Sequence, residues 1–313
     1  MNIEHFIVDT GAVEVQQIQV PTPFRVGPVN IYIFGDTLID TGPLTPAALE
    51  TLTKAVDFAS IKRLLITHGH VDHHGLACRV KHLSGCSILV HQHDQALLTD
   101  YSDQIMQKLS AYKTFLEKAG LSERMIGSFV EIYTSYRQYG ESCDVELLEK
   151  NVHTEAGTVQ VIHTPGHTPG SVCFLFGDTL FSGDTLLPTI STNPSMNAVF
   201  DGRCGLTSYE HSLKALNDLP VSQVLPGHGR VIHDHKKRIQ DILQEHAQRR
   251  HQILESLEGG SRSLLDIEKA LFGPIHPSEI VLALAECYDH LCVLERDGLI
   301  IKIPEDPIQF ALL

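Results

Sequence analysis

The chain has 313 residues, with 24 Lys+Arg against 38 Asp+Glu and a formal net charge of −14. Affinity for phosphate backbones rests on Lys and Arg, so this balance argues against a general nucleic-acid binder. Hydrophobic residues make up 42%, enough for one large domain and a small one, and no run of about 18 apolar residues is present to span a membrane.

Strands come first in the pattern. VNIYIF (residues 29–34) is turned by Gly35-Asp36 into TLID (37–40). RLLIT (63–67) and SILVH (87–91) read as short buried strands, and the spacing predicts helices over 45–58 and 75–83. Residues 94–150 differ. Ile105, Leu109, Tyr112 and Leu116 recur at helical spacing up to Gly120, and Ile126, Phe129, Val130 and Tyr133 repeat the pattern towards Gly140. This is read as a helical insertion, serving either as a pocket wall or as a packing or dimer element. A second β-rich block follows: TVQVIHT (158–164), SVCFLF (171–176) and TLFS (179–182). Strands and helices in this order suggest sheets covered by helices on their outer faces.

An amphipathic helix starts after His235, with Ile239, Ile242, Leu243, Ala247, Ile253, Leu254 and Leu257 on its apolar side, and Gly259-Gly260-Ser261 ends it. The rest reads as helix (264–271), helix (277–296) and a hairpin, with LIIKI and IQFALL flanking Pro304-Glu305-Asp306-Pro307. That is the pattern of a winged-helix module. The expected division is therefore residues 1–258 and 259–313.

The chemistry lies in four loops. THGHVDHHG (67–75) follows an apolar strand and offers His68, His70, Asp72 and His73. HTPGHTPGS (163–171) places His167 in a turn between two strands, FSGDTL (181–186) places Asp184 just after a strand, and LPGHG (225–229) does the same for His228. Imidazole and carboxylate suit zinc and similar divalent ions, and side chains at strand ends can converge on one point. His74 is read as lying behind the ligands or in solvent. His91, His93, His163, His233 and His235 are read as structural.

This constellation resembles the metallo-β-lactamase superfamily, in order through residues 29–230. The resemblance implies a four-layer αββα sandwich with the ligands along one edge between the sheets. It implies that His68, His70 and His167 hold one metal, that Asp72, His73 and His228 hold a second, and that Asp184 bridges both. Asp40, in LIDTG, matches the family's first motif and orients a ligand from behind. Two divalent ions, zinc above iron or manganese, would make a hydroxide nucleophile from a shared water near neutral pH. Asp72 and Asp184 then act as ligands, not as free bases, and the substrate is a small molecule: an ester, thioester or lactone. The ligand set is closest to the hydroxyacylglutathione hydrolase branch. A nuclease or phosphodiesterase with the same metals is the alternative, and a mononuclear iron persulfide dioxygenase is another.

Charge bears on the nuclease reading. Residues 257–313 hold ten acidic and four basic side chains, a net of −6, so the tail is expected to be structural or a subunit contact, as in a homodimer, more than a reader of nucleic acid. The start MNIEHFIVDTG has no basic n-region or apolar core of a signal peptide. The seven cysteines include no CxxC, and are expected to be reduced thiols of a cytoplasmic protein.

Overall fold

The computed structural model describes residues 3–8, 13–194, 204–274 and 279–313. A hairpin of β1 (Ile3–Val8) and β2 (Val13–Val20) opens the chain, followed by β3 (Val29–Phe34), β4 (Thr37–Ile39), α1 (Pro46–Ala55), β5 (Arg63–Leu65), α2 (Val71–His74), α3 (Ala77–Ser84) and β6 (Ser87–Val90). The helical insertion follows as α4 (Gln95–Thr99), α5 (Tyr101–Lys118), α6 (Glu123–Ser135) and a 3-10 turn over Tyr136–Tyr139. Next come β7 (Glu146–Leu147), β8 (Asn151–Thr154), β9 (Gly157–His163), β10 (Val172–Phe176), β11 (Thr179–Gly183), α7 (Gly205–Asn217), β12 (Gln223–Pro226) and α8 (His235–Leu257). The tail is β13 (Arg262–Ser263), α9 (Leu264–Phe272), α10 (Ile280–Arg296), β14 (Ile300–Ile303) and β15 (Gln309–Leu312).

The predicted strands are all present, mostly one or two residues shorter. The β1–β2 hairpin lies outside the predicted set. Its second strand, VEVQQIQV, carries glutamines where a simple alternation would place apolar residues. Gln17 is buried nonetheless, because its amide donates to Asn30 Oδ1 at 3.1 Å. The predicted helix over 277–296 starts at Ile280, and Pro277 lies outside the described residues.

Seven strands form one sheet in the order β1 to β7, and five form a second in the order β12-β11-β10-β9-β8. The two face each other across an apolar layer that includes Tyr32, Phe34 and Leu65 of the first and Val159, Phe174 and Phe181 of the second. Phe34 stacks on Phe176 and Phe181 at 5.0 and 5.5 Å, contacts of about 0.5–1.5 kcal/mol each beyond the area they bury. On its outer side the first sheet buries Ile18, Ile31 and Leu38 against Ala48 and Leu52 of α1 and Val80 of α3. The second sheet buries Cys173 and Leu180 against Leu206 and Tyr209 of α7 and Ile239 and Ile242 of α8. The layers therefore run helix, sheet, sheet, helix.

A separate core joins the insertion to the tail. Phe115, Leu116 and Ile126 pack with Leu257, Ile267, Leu284 and Phe310. Ile308 N donates to Lys118 O at 2.8 Å across this contact. The tail strands form their own sheet in the order β13-β15-β14. Among the described residues no helix is long and apolar enough to cross a membrane. All seven cysteines are free.

The strand ends place the site. β4 and β5 are parallel, as are β11 and β12, and in each pair the loops after the strands leave at one edge. The two sheets are stitched there. Asn30 N donates to Gly227 O at 2.7 Å, and Tyr32 Oη donates to Pro226 O at 2.6 Å.

Replacing Phe310 by Ala should lower stability by about 3–5 kcal/mol through loss of a buried ring and the cavity left behind. Urea unfolding would measure it. Limited proteolysis should show α5 and α6 loosened with the tail, because they share the same core.

Candidate metal centre

β5 ends at Leu65, and the chain turns through Thr67–Gly69 into α2, which presents Asp72 and His73 from one short turn of helix. The loop between β9 and β10 brings His167, the turn after β11 brings Asp184, and the turn after β12 brings His228. All seven residues meet. His68, His70 and His167 form one group, Asp72, His73 and His228 another, and His68, His73 and Asp184 lie between them; within each group the ligand atoms fall within 4.8 Å of one another. Asp184 faces both ends, with Oδ2 3.6 Å from His167 Nε2 and 3.7 Å from His228 Nε2, and Oδ1 3.4 Å from His73 Nε2. Asp72 Oδ2 lies 3.4 Å from His228 Nε2.

The outer nitrogens decide how the rings are presented. His228 Nδ1 donates to Pro28 O at 2.9 Å, and His167 Nδ1 donates to Asn193 O at 3.0 Å. A carbonyl oxygen only accepts, so both rings turn an Nε2 lone pair inward. His73 Nδ1 donates to Asp40 Oδ2 at 2.8 Å. Thr67 Oγ1 donates to the same oxygen at 2.7 Å, which leaves the hydroxyl to accept from His68 Nδ1 at 3.1 Å. Asp40 Oδ1 accepts Thr67 N at 2.9 Å. Asp40 is the one non-glycine residue with positive φ (58°) among the described residues, a conformation that aspartate tolerates better than most and that these bonds hold.

Four inward nitrogens, Nε2 of His68, His73, His167 and His228, are buried with no hydrogen-bond partner, and so is Asp184 Oδ1. Each such atom costs about 1–3 kcal/mol if nothing satisfies it. Five of them facing one another fit a cation. Protonation preferences differ across the cluster. Burial, reinforced by neighbouring histidines, holds His68 and His70 well below the usual imidazole range. Burial disfavours the carboxylate of Asp72, but His73 and His228 outweigh it and hold the group at about 2. Asp184 is likewise held well below its ordinary value by His228 and His73 against burial. His73 is raised well above its usual value despite burial, because Asp184, Asp40 and Asp72 surround it.

The remaining histidines stay outside. His74 is buried, lies behind the cluster against Tyr101 with ring centroids 5.5 Å apart, and is pushed by burial down to about 4. His91 stacks on His163 with ring centroids 4.1 Å apart, and His93 lies tilted against both; none of the three joins a ligand group.

Two supports carried no sequence signal. Asp94, buried, accepts Gly69 N at 2.7 Å, Thr168 Oγ1 at 2.6 Å and Gly170 N at 2.8 Å. One side chain thereby ties the His68–His70 loop to the His167 loop. A Cβ on Gly170 would lie 2.5 Å from Asp94 Cγ, so only glycine fits there. The segment Ser191–Asn193 is the other. Thr192 Oγ1 also reaches His167 Nδ1 at 2.7 Å, Ser191 Oγ reaches His246 Nε2 at 2.9 Å, and Asn193 Nδ2 donates to Leu282 O at 3.0 Å. Lone Asp, Ser, Thr and Asn residues are too common to stand out by type; only the fold brings these to the site.

A family model described as the metallo-beta-lactamase superfamily matches residues 24–228, from before β3 to His228 itself. The chain belongs to the metallo-β-lactamase superfamily. Among its relatives, a probable metallo-hydrolase, YqjP of Bacillus subtilis (strain 168), is 27% identical over 308 residues, covering 91% of this chain and 93% of that one. The Beta-lactamase-like protein 2 homolog of Drosophila melanogaster is 27% identical over 290 residues, covering 89% and 86%. The fold recurs in the metallo-beta-lactamase family protein TTHA1429 from Thermus thermophilus, with a TM-score of 0.80 at 22% identity over 96% of this chain and 98% of that one. A beta-lactamase domain protein from Burkholderia ambifaria gives 0.81 at 21% identity over 96% and 92%. The last two likenesses show the same fold over nearly the whole chain.

Asp40→Asn exchanges one acceptor oxygen for an amide that cannot accept from His73 or Thr67. Metal affinity should fall about 10–100-fold, as for other residues that orient ligands from behind. Competition against a chelating dye would read it, with the melting temperature as control. Gly227→Ala should act from the other side, since its Cβ would lie 2.4 Å from Asp184 Oδ1.

Proposed function

We propose that this superfamily member is a dinuclear metal-dependent hydrolase of a small ester, thioester or lactone. The observation that carries the reading is the set of five buried, unpartnered ligand atoms turned towards one another, on imidazole and carboxylate side chains. His68, His70 and His167 would hold one ion, Asp72, His73 and His228 the other, and Asp184 both. Zinc suits this donor set, as do iron and manganese. Divalent ions held there would supply a nucleophile at neutral pH and polarise a scissile carbonyl.

The protein's part is positional. Asp40, Thr67, Asn193 and Pro28 hold the outward nitrogens of His73, His68, His167 and His228, so each ring turns its Nε2 inward. Asp72 and Asp184 stay ionised down to low pH, which fits ligands and not proton carriers. Both three-residue groups are complete, which favours two ions over a mononuclear iron site. The B. subtilis relative named as a probable metallo-hydrolase supports the reaction class over nearly the whole chain.

We read residues 259–313 as a winged-helix-like module with a packing role. Its net charge of −6 over residues 257–313 is set against a nucleic-acid partner, and its apolar side is spent on the insertion. The seven free thiols fit a reducing, cytoplasmic setting.

Chelation should abolish turnover, and added zinc should restore it. Asp184→Ala should lower kcat/KM by at least about 10²-fold with the circular dichroism spectrum kept, whereas His74→Ala should cost far less. Side-by-side kcat/KM values on an S-acyl glutathione thioester and a bis-aryl phosphodiester test the substrate class. Strong preference for the thioester is expected; strong preference for the phosphodiester would replace this reading with a phosphodiesterase.

A further inference from the structure

His167 is held differently from the other ligand histidines. The outer nitrogens of His73, His68 and His228 meet Asp40, Thr67 and Pro28 O, groups within two residues of β4, β5 and β3. The outer nitrogen of His167 faces Thr192 Oγ1 at 2.7 Å and Asn193 O at 3.0 Å, on a stretch that is neither helix nor strand. Among the described residues no backbone–backbone hydrogen bond reaches Ser191–Asn193.

Side chains hold that stretch at its two ends. Ser191 Oγ meets His246 Nε2 at 2.9 Å, and Asn193 Nδ2 donates to Leu282 O of α10 at 3.0 Å. His246, on α8, is buried. Its Nδ1 lies 3.3 Å from Glu210 Oε1 of α7, which also accepts from Arg250 Nη1 at 2.6 Å. Burial raises the Glu210 carboxyl, but His246 and Arg250 outweigh it and hold the group at about 2. An ionised carboxylate only accepts, so His246 Nδ1 carries a proton, and in the neutral ring Nε2 accepts from the Ser191 hydroxyl. Tyr209 of α7 and His290 of α10 close around the ring, with centroids 5.8 and 5.5 Å from it. Arg249 pairs with Glu286 between α8 and α10. A ring packed on these sides and bonded at both nitrogens has one orientation to offer Ser191.

We propose that His246 is a positioning residue for the metal centre. Glu210 and Arg250 hold it, it holds Ser191, and the Ser191–Asn193 stretch in turn aims His167. If Ser191 is released, the Nδ1 proton of His167 loses its fixed acceptors, and the ring no longer presents Nε2 inward in one tautomer. The effect falls on one ion, that assigned to His68, His70 and His167. His73 and His228 take their outer bonds from Asp40 and Pro28 instead. This rests on the two-ion reading above.

Competition between the metal-free protein and a chelating dye for zinc gives the two affinities. Ser191→Ala removes one hydroxyl, and His246→Phe keeps a ring without its nitrogens. Each should weaken one zinc ion by about tenfold and leave the other within about twofold. The double variant should bind no worse than the weaker single one, because both act along one chain of bonds. Equal weakening of both ions or of neither overturns the proposal, as do additive losses in the double variant. If His246→Phe does not fold, Ser191→Ala decides alone.

Imidazole ¹⁵N NMR of the metal-free protein reads the same link without a metal. Exchange of the His167 Nδ1 proton with water should quicken about tenfold or more in the variants, and that of His228 should not. If the wild type binds a single zinc ion, the two-ion reading has failed, and this exchange decides His246 on its own. Quickening at His167 alone supports the positioning role; no change there, or equal quickening at both rings, refutes it.

Discussion

The carboxylate of Asp40 accepts from Thr67 N, Thr67 Oγ1 and His73 Nδ1, and much else in the site follows from those bonds. They use both oxygens of a residue buried to 1% exposure at the end of β4. Through Thr67 they fix His68, and through His73 they fix the start of α2. The charge of Asp40, after that of Asp184, is one reason the His73 imidazole is raised above its usual range. Burying so many polar groups at one edge is costly unless each has a partner. Here the outward atoms are satisfied by the protein and the inward ones are reserved.

The same rule explains the two sheets. Each buries apolar side chains on both faces, which leaves little room for charged groups at the buried positions of its strands. The candidate ligands lie beyond the strand ends, where backbone turns can aim side chains without breaking a ladder. Parallel pairing of β4 with β5 and of β11 with β12 puts the ends of both sheets on one side. Loops far apart in sequence then point at a single volume.

Much of this was legible in the sequence. His68, His70, Asp72, His73, His167, Asp184 and His228 stand in loops whose composition is unusual, and glycines mark the sharp turns. Asp40 is visible only by family resemblance. Asp94 and the Ser191–Asn193 segment are not visible, because their roles depend on distant neighbours, such as Thr168, 74 residues beyond Asp94, or on contacts with a remote helix. The β1–β2 hairpin escaped because a buried glutamine whose amide donates to an asparagine looks polar to any periodicity argument. Helix α7 escaped too; its apolar stripe is interrupted by Ser212, which is buried with its hydroxyl bonded to Pro165 O at 2.8 Å.

The shared core of α5, α6 and the tail has a consequence for how such proteins diversify. Pro307 lies over Gly120, within 3.0 Å of where a Cβ would sit, and a backbone bond joins Ile308 to Lys118. The insertion helices and the last two strands of the chain therefore form one packed block. A descendant that recruits a new insertion must recruit a matching tail, and an engineer grafting the insertion onto another member of the superfamily has to move both pieces together.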